Sequence, residues 1–362
     1  MLSVLAADRS RLADINSRIA DLERSLSELR NERVIVQGRL DEYKYPVITL
    51  PNEIICEIFI HFLPVYPRPP PFTGTESPTN LARVCRHWRE IALSLPMLWR
   101  AIGVIQPHRM SYKRQNQMSE VWIKRSGACP LAINIAYYGG HDGSLSPEDI
   151  PAVISQRPRW ERLRIDALPH ALTVIDGPMP RLRHLDLALC GNGIPAPFEF
   201  REVPLLRSVT LHSWVSSKAV TLPWGQLTCL TLLGIERNRC AAILQQTDRL
   251  IHCILEVVTS GPADHPRLAL PCLESLVVKE RRGIEGDLKR FLHSFVVPAL
   301  RSLELEEQLF GSDPVAALES FISQSGCTLQ RVCIAERTKP TKTYLLAFPH
   351  IPDFSFARVE RR

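Results

Sequence analysis

Apolar residues return at steps of three and four along most of the first forty positions. One seam holds Leu5, Leu12, Ile19, Leu26, Arg33 and Leu40, and the other holds Asp8, Ile15, Leu22, Leu29 and Val36. Arg18, Asp21, Glu23, Arg24, Glu28 and Arg30 flank them. This is the grammar of a coiled coil. Two readings stay open for segment 1–44: a coiled coil that makes the chain a homodimer through residues 5–40, or one amphipathic helix lying back on its own protein. Asp8 and Arg33 interrupt the seam near its ends.

The periodicity resumes after Leu50. Pro51 suits the first helical position, where a missing N–H costs nothing. Behind it, Ile54, Ile55, Ile58, Phe59 and Phe62 fall at helical spacing, and Pro64 ends that helix. A second, longer helix is predicted to enter at Ser77-Pro78. Leu81, Val84, Cys85, Trp88, Ile91, Ala92 and Leu95 form its stripe, with Arg83, Arg86, His87 and Arg89 off it. Two helices this short cannot bury both apolar faces against each other. Leu50 and Pro51 are poor solvent-facing residues, so the pair predicts a docking module.

Between the helices, Pro64, Pro67, Pro69, Pro70, Pro71 and Gly74 mark an insertion over 64–77 that favours polyproline II. Pro67-Arg68-Pro69-Pro70 has the form of an SH3 ligand, though a plain insertion accounts for it. Residues 103–158 mix patterns and form a connecting α/β segment: Val121-Trp122-Ile123 predicts a helix, and Leu131-Ala132-Ile133-Asn134-Ile135 a strand. Gly139-Gly140-His141-Asp142-Gly143 lacks phosphate-loop spacing and is read as a turn.

From 159 to 362 a repeat appears. Its first members are Leu163-x-Ile165, Leu185-x-Leu187, Val209-x-Leu211 and Leu230-x-Leu232. Cys253-x-Leu255, Leu276-x-Val278, Leu303-x-Leu305 and Val332-x-Ile334 continue it. Several units share a lead-in: Pro180-Arg-Leu182, Pro204-Leu-Leu206, Pro271-Cys-Leu273 and Pro298-Ala-Leu300. The spacing matches leucine-rich repeats, one strand and one return segment per unit. The asparagine usual after the strand is missing, so the array is irregular. Residues 316–323 are predicted helical and 191–197 looping. Phe348, Ile351, Phe354 and Phe356 suit a cap on the open end. The fold class is α/β: a long N-terminal helix, a small helical module, then a solenoid.

Within each Leu-x-Leu strand the leucines point inward and the middle residue outward. The outward row reads Arg164, Asp186, Thr210, Thr231, Ile254, Val277, Glu304 and Cys333, flanked by His184, His212, Lys279 and Glu306. An apolar centre with a charged rim is how binding patches are often built. Asp186, Thr210, Thr231, Ile254, Val277, Glu304 and Glu306 are therefore the candidate target-binding residues.

Leu50-Pro-x-Glu-Ile-Ile-x-x-Ile-Phe, then Val84-Cys85-Arg86-x-Trp88-Arg89 and Leu95-Pro96-x-Leu98-Trp99, closely resemble the F-box. The likeness is to F-box-like proteins abundant in mushroom-forming (basidiomycete) fungi. Those chains carry a helix ahead of the box, an entry like Tyr45-Pro46-Val47-Ile48-Thr49-Leu50-Pro51, and irregular leucine-rich repeats behind. The resemblance places an F-box-like domain at 45–102. It implies docking on the Skp-type adaptor of an SCF cullin–RING ubiquitin ligase. Leu50, Pro51, Ile54, Ile55, Ile58, Phe59, Val84, Cys85 and Trp88 would make or support the contact.

Net charge +6 is mild and the basic residues are scattered, which argues against nucleic acid. Ten cysteines form no C-x-x-C pair and mostly sit in apolar runs. Reduced core cysteines follow, with no metal site and no cofactor. The apolar start is too short for a signal peptide and no run reaches membrane-span length. Cytoplasm and/or nucleus is the expected location. No P-loop, H-E-x-x-H or G-x-S-x-G occurs, so no catalytic residue and no enzyme activity are expected. Cys85 lies two positions before His87, but helical spacing separates their faces. The expected function is a substrate-recognition subunit whose repeats hold an unknown protein target. The alternative is a scaffold acting outside ubiquitination.

Overall fold

The computed structural model describes residues 2–42, 50–105, 110–137, 147–167, 169–189, 198–212, 220–258, 267–280, 289–336 and 338–357. The entry Tyr45–Thr49, the turn at 139–143 and the loop at 191–197 lie outside them. The chain divides into two compact units, Met1–Glu57 and Ile58–Arg362.

In the first unit α1 runs without a break over Leu2–Glu42. Residues 5–42 are all exposed, the heptad seam included. Asp21 pairs with Arg24, and Gln37 donates to Asp41 at 2.9 Å. Pro51 stands directly before α2 (Asn52–His61), its carbonyl accepting from the N–H groups of Ile54 and Ile55.

In the second unit the expected long helix is two short ones. α3 covers Leu81–Val84 and α4 covers Arg86–Ser94, with Cys85 fully extended between them (φ −154°, ψ 173°). Entry is also later than Ser77-Pro78. Ser77 is buried in a turn, its hydroxyl donating to the Phe72 carbonyl at 2.9 Å, so the helix starts at Leu81. The break is sealed locally: Cys85 Sγ accepts from Trp88 N–H at 3.4 Å, and Arg89 Nε donates to the Ala82 carbonyl at 2.9 Å. Helix-end groups thus find partners despite the interruption.

A strand follows at once, β1 (Ala101–Ile105), then α5 (Tyr112–Arg125), β2 (Leu131–Tyr137), α6 (Pro151–Ile154), β3 (Trp160–Ala167) and β4 (His184–Leu189). Next come β5 (Phe198–Glu199), β6 (Ser208–His212), β7 (Val220–Thr221), β8 (Cys229–Glu236), α7 (Arg237–Leu244) and β9 (His252–Val258). β10 (Leu268–Ala269), β11 (Ser275–Glu280), α8 (Lys289–His293), β12 (Phe295–Val296) and β13 (Ser302–Glu306) continue the chain. It closes with α9 (Pro314–Ser325), β14 (Arg331–Ala335), α10 (Thr341–Ala347) and β15 (Asp353–Ala357).

Eleven strands form one sheet in the order β1-β2-β3-β4-β6-β8-β9-β11-β13-β14-β15. Every neighbouring pair is parallel, and each strand pairs with the next strand of this sheet along the chain. β5 with β7 and β10 with β12 make two further short parallel pairs. The eight repeat strands expected from sequence are all present. Three more join them: β1, the strand of the connecting segment (β2), and β15 from the tail read as a cap. Phe354 and Phe356 of β15 lie against Tyr344, with Phe348 stacked on Phe354.

The proline lead-ins have a structural job. Leu182, Leu206, Leu273 and Leu300 each donate an N–H to the carbonyl three residues back. Each closes a turn with its proline at the second position, where a fixed φ is already suitable. All four leucines are fully buried. Among the described residues no helix is long and apolar enough to cross a membrane.

Candidate functional site

Helix α2 sorts its apolar residues in two. Ile55 and Phe59 are buried, whereas Ile54 and Ile58, one turn apart, are 48% and 45% exposed. Phe59 meets the edge of Trp88 at 4.9 Å between ring centroids. Trp88 is half-buried, so it supports the module from beneath more than it presents a surface. Leu50 is half-buried and Pro51 exposed. Val84, expected on the buried stripe, is 62% exposed. The extended Cys85 turns the chain between α3 and α4, so residues before and after it no longer share one helical face. Cys85 itself is half-buried and serves as the α4 cap.

The far end of this segment is anchored in the core. Trp99 is fully buried, donates Nε1 to the Ala92 carbonyl at 2.8 Å, and meets Trp122 edge-on at 5.6 Å. The Arg125 guanidinium lies 4.5 Å over the same ring.

The 64–77 insertion is a packed element, not a free ligand. Phe72 is buried edge-on to Trp122 at 4.9 Å, and Pro70 is buried as well. Asn134 of β2 donates to the Pro67 carbonyl at 2.9 Å, and the Arg162 guanidinium lies 5.2 Å over Tyr66. A Cβ on Gly103 of β1 would sit 2.5 Å from Pro69 Cγ. The SH3-like run is therefore occupied by its own protein. It covers the outward face of the first strands around a cavity of about 280 Å³ lined by Leu63, Tyr66, Asn134 and Arg162.

Beyond that cover, one register row crosses the sheet. It pairs Arg164, Asp186, Thr210, Thr231, Ile254, Val277, Glu304 and Cys333 in succession. The residues flanking the row on every strand are buried and the row residues are not, as alternation requires. Its polar end is internally paired. Asp186 accepts from Arg164 Nη1 at 2.8 Å, and His212 Nε2 lies 3.0 Å from its other oxygen. Burial, with the Asp186 charge beside it, pushes the Tyr66 phenol well above its usual range. Burial and the Arg162 guanidinium push the His184 imidazole below its usual range. Glu304 pairs with Lys279 Nζ at 3.1 Å. Glu306, placed by sequence on the same rim, is buried. The chain turns there into a short 3-10 helix, Glu307–Phe310, and Gln308 donates to the Glu306 carboxylate at 2.7 Å. Thr210, Thr231, Ile254 and Val277 lie between the two paired ends, with Ile254 the most exposed at 40%.

Sequence reading missed Glu307. Its buried carboxylate accepts from the backbone N–H groups of Thr338 and Lys339 and from Tyr344 Oη. Burial alone would raise its pKa, but these hydrogen bonds outweigh burial and hold it below the usual carboxylate range. A Glu just past a Leu-x-Leu strand, next to Glu306, carries no signal of this. Cys272 is exposed, unlike the buried Cys240, Cys253 and Cys327. Among the described residues no group of three His, Cys, Asp or Glu side chains could hold a metal ion.

A comparison with protein families bears on the segment that holds α2 to α4. The F-box-like family model matches residues 47–104. The chain therefore carries an F-box-like domain, which spans α2 to α4 and most of β1. A search of curated proteins finds no match.

Proposed function

We propose that this protein is the substrate-recognition subunit of an SCF-type cullin–RING ubiquitin ligase. The F-box-like domain docks on a Skp-type adaptor, and the strand array holds a protein target. The observation that carries this reading is the coincidence of the family match with exposed aliphatic side chains. Ile54, Ile58 and Val84 lie inside it and are about half or more exposed. Burying a fully exposed side chain of this kind is worth about 1.5–3 kcal/mol, so a partner that covers the exposed half of each gains about 1 kcal/mol apiece.

The array is read as an irregular leucine-rich-repeat solenoid. Strands pairing in chain order, buried Leu-x-Leu positions and repeated proline turns support that reading. Its target patch centres on Thr210, Thr231, Ile254 and Val277, with the Glu304–Lys279 pair at its rim. Catalysis by such a subunit is proximity: joining two binding surfaces raises the effective concentration of the target near the charged conjugating enzyme. The chain itself performs no covalent step.

The test is co-purification of the full chain with adaptor and cullin. Leu50→Ala with Pro51→Ala should lose the adaptor. Wild-type recovery of adaptor by that double variant sinks the docking assignment. Absence of cullin from a complex that keeps the adaptor would favour the scaffold alternative.

A further inference from the structure

The 41-residue helix α1 exposes its entire apolar seam, with Leu12 and Leu29 each 59% and Leu22 69% exposed. An isolated helix gains little by holding such a stripe in water, so the seam calls for a partner. We propose that the partner is a second copy of this chain, packed antiparallel as a two-stranded coiled coil through residues 5–36. This assignment is independent of the adaptor reading.

The orientation is decided by the two charged residues in the seam. In a parallel, in-register pair identical positions meet, so Asp8 would face Asp8 and Arg33 would face Arg33. Both contacts repel. Antiparallel packing sets one seam of a helix against the other seam of its partner. With Ile19 opposite Leu22 of the second copy, Ile15 meets Leu26 and Leu12 meets Leu29. The next layer outward brings Asp8 against Arg33, and Leu5 closes against Val36. Each layer occurs twice under the two-fold axis, so both charges are neutralised at both ends of one continuous apolar core.

The flanks are nearly balanced. Arg11 falls beside Glu32 of the second copy, and Arg9 beside Arg30, both in solvent where such pairs weigh little. The seam charges therefore govern the choice. They also argue against a lipid surface, since Asp8 and Arg33 lie within the apolar stripe and charges surround it. The geometry sends the two chains out of the rod at opposite ends, about 60 Å apart at about 1.5 Å rise per residue. Two F-box-like domains would then face different adaptors instead of crowding one.

Mass by light scattering on the full chain at micromolar concentration tests this, with far-UV circular dichroism to confirm the helix. Wild type should be a dimer. Asp8→Arg alone or Arg33→Asp alone places like charges in two layers and should weaken association about tenfold or more. The double variant, Asp8→Arg with Arg33→Asp, restores every pair and should recover wild-type dimerisation. A parallel dimer would be indifferent to all three, because like still meets like. A monomeric wild type, unaffected single variants, or a helical double variant that fails to reassociate would each overturn the proposal.

Discussion

Tyr344 Oη donates to the Glu307 carboxylate at 2.5 Å, both side chains buried, tying α10 to the exit of β13. With the N–H groups of Thr338 and Lys339 on the same carboxylate, this joint fixes the segment that carries β15. Glu307→Ala leaves three donors without their acceptor and should cost about 2–4 kcal/mol. A thermal melt should show the loss, and Tyr344→Phe should show a smaller one, about 1 kcal/mol.

The same residue sets a pH dependence. Its folded pKa lies below the ordinary glutamate value of 4.5, so the folded state prefers the ionised form. Its contribution is complete above that value and is lost as pH falls through the folded pKa. Unfolding midpoints compared between pH 7 and pH 3 should fall further for wild type than for Glu307→Gln. An equal drop would show that the joint does not titrate.

Gly103 accepts no side chain while Pro69 lies over it. Gly103→Ala forces the two apart and should cost about 1–3 kcal/mol. The clearest readout is amide hydrogen exchange, with faster exchange expected in the variant at the Arg68 N–H, which donates to the Val65 carbonyl at 3.2 Å. Asn134→Ala, which removes the bond to the Pro67 carbonyl, should act in the same direction more weakly.

Core and surface roles within the F-box-like domain should separate by mutation. Trp88→Ala removes a ring packed on Phe59 and should cost about 3 kcal/mol, lowering stability and adaptor capture together. Ile54→Asp with Ile58→Asp changes exposed positions and should leave the melting temperature within a few degrees. Adaptor capture should nevertheless be lost. Unchanged capture by the folded double variant would move the docking surface elsewhere.

On the strand face, Ile254→Arg should cost no more than about 1 kcal/mol, because the side chain is already 40% exposed. Affinity purification with proteasome inhibition should then recover adaptor but no target. Retained target would place its site away from this row.

The sequence by itself determined the elements that repeat. Leu-x-Leu spacing marked eight strands because alternation is a local property of an extended chain, and the buried apolar residues on either side of Arg164 through Cys333 follow from it. The heptads of α1 and the helical stretch around Ile54 and Phe59 were legible for the same reason. Tertiary structure decided what depends on neighbours distant along the chain. β1 and β15 fall outside the Leu-x-Leu series, and only pairing with β2 and β14 makes them strands of this sheet. The proline-rich run was legible as an insertion, and the fold supplies the Asn134, Gly103 and Arg162 that receive it. Helical periodicity placed Val84 and Cys85 on one stripe, whereas a single extended residue separated α3 from α4. Glu306 and Glu307 followed an outward Glu304 in sequence, yet a turn carried both inward to donors that no local pattern could announce.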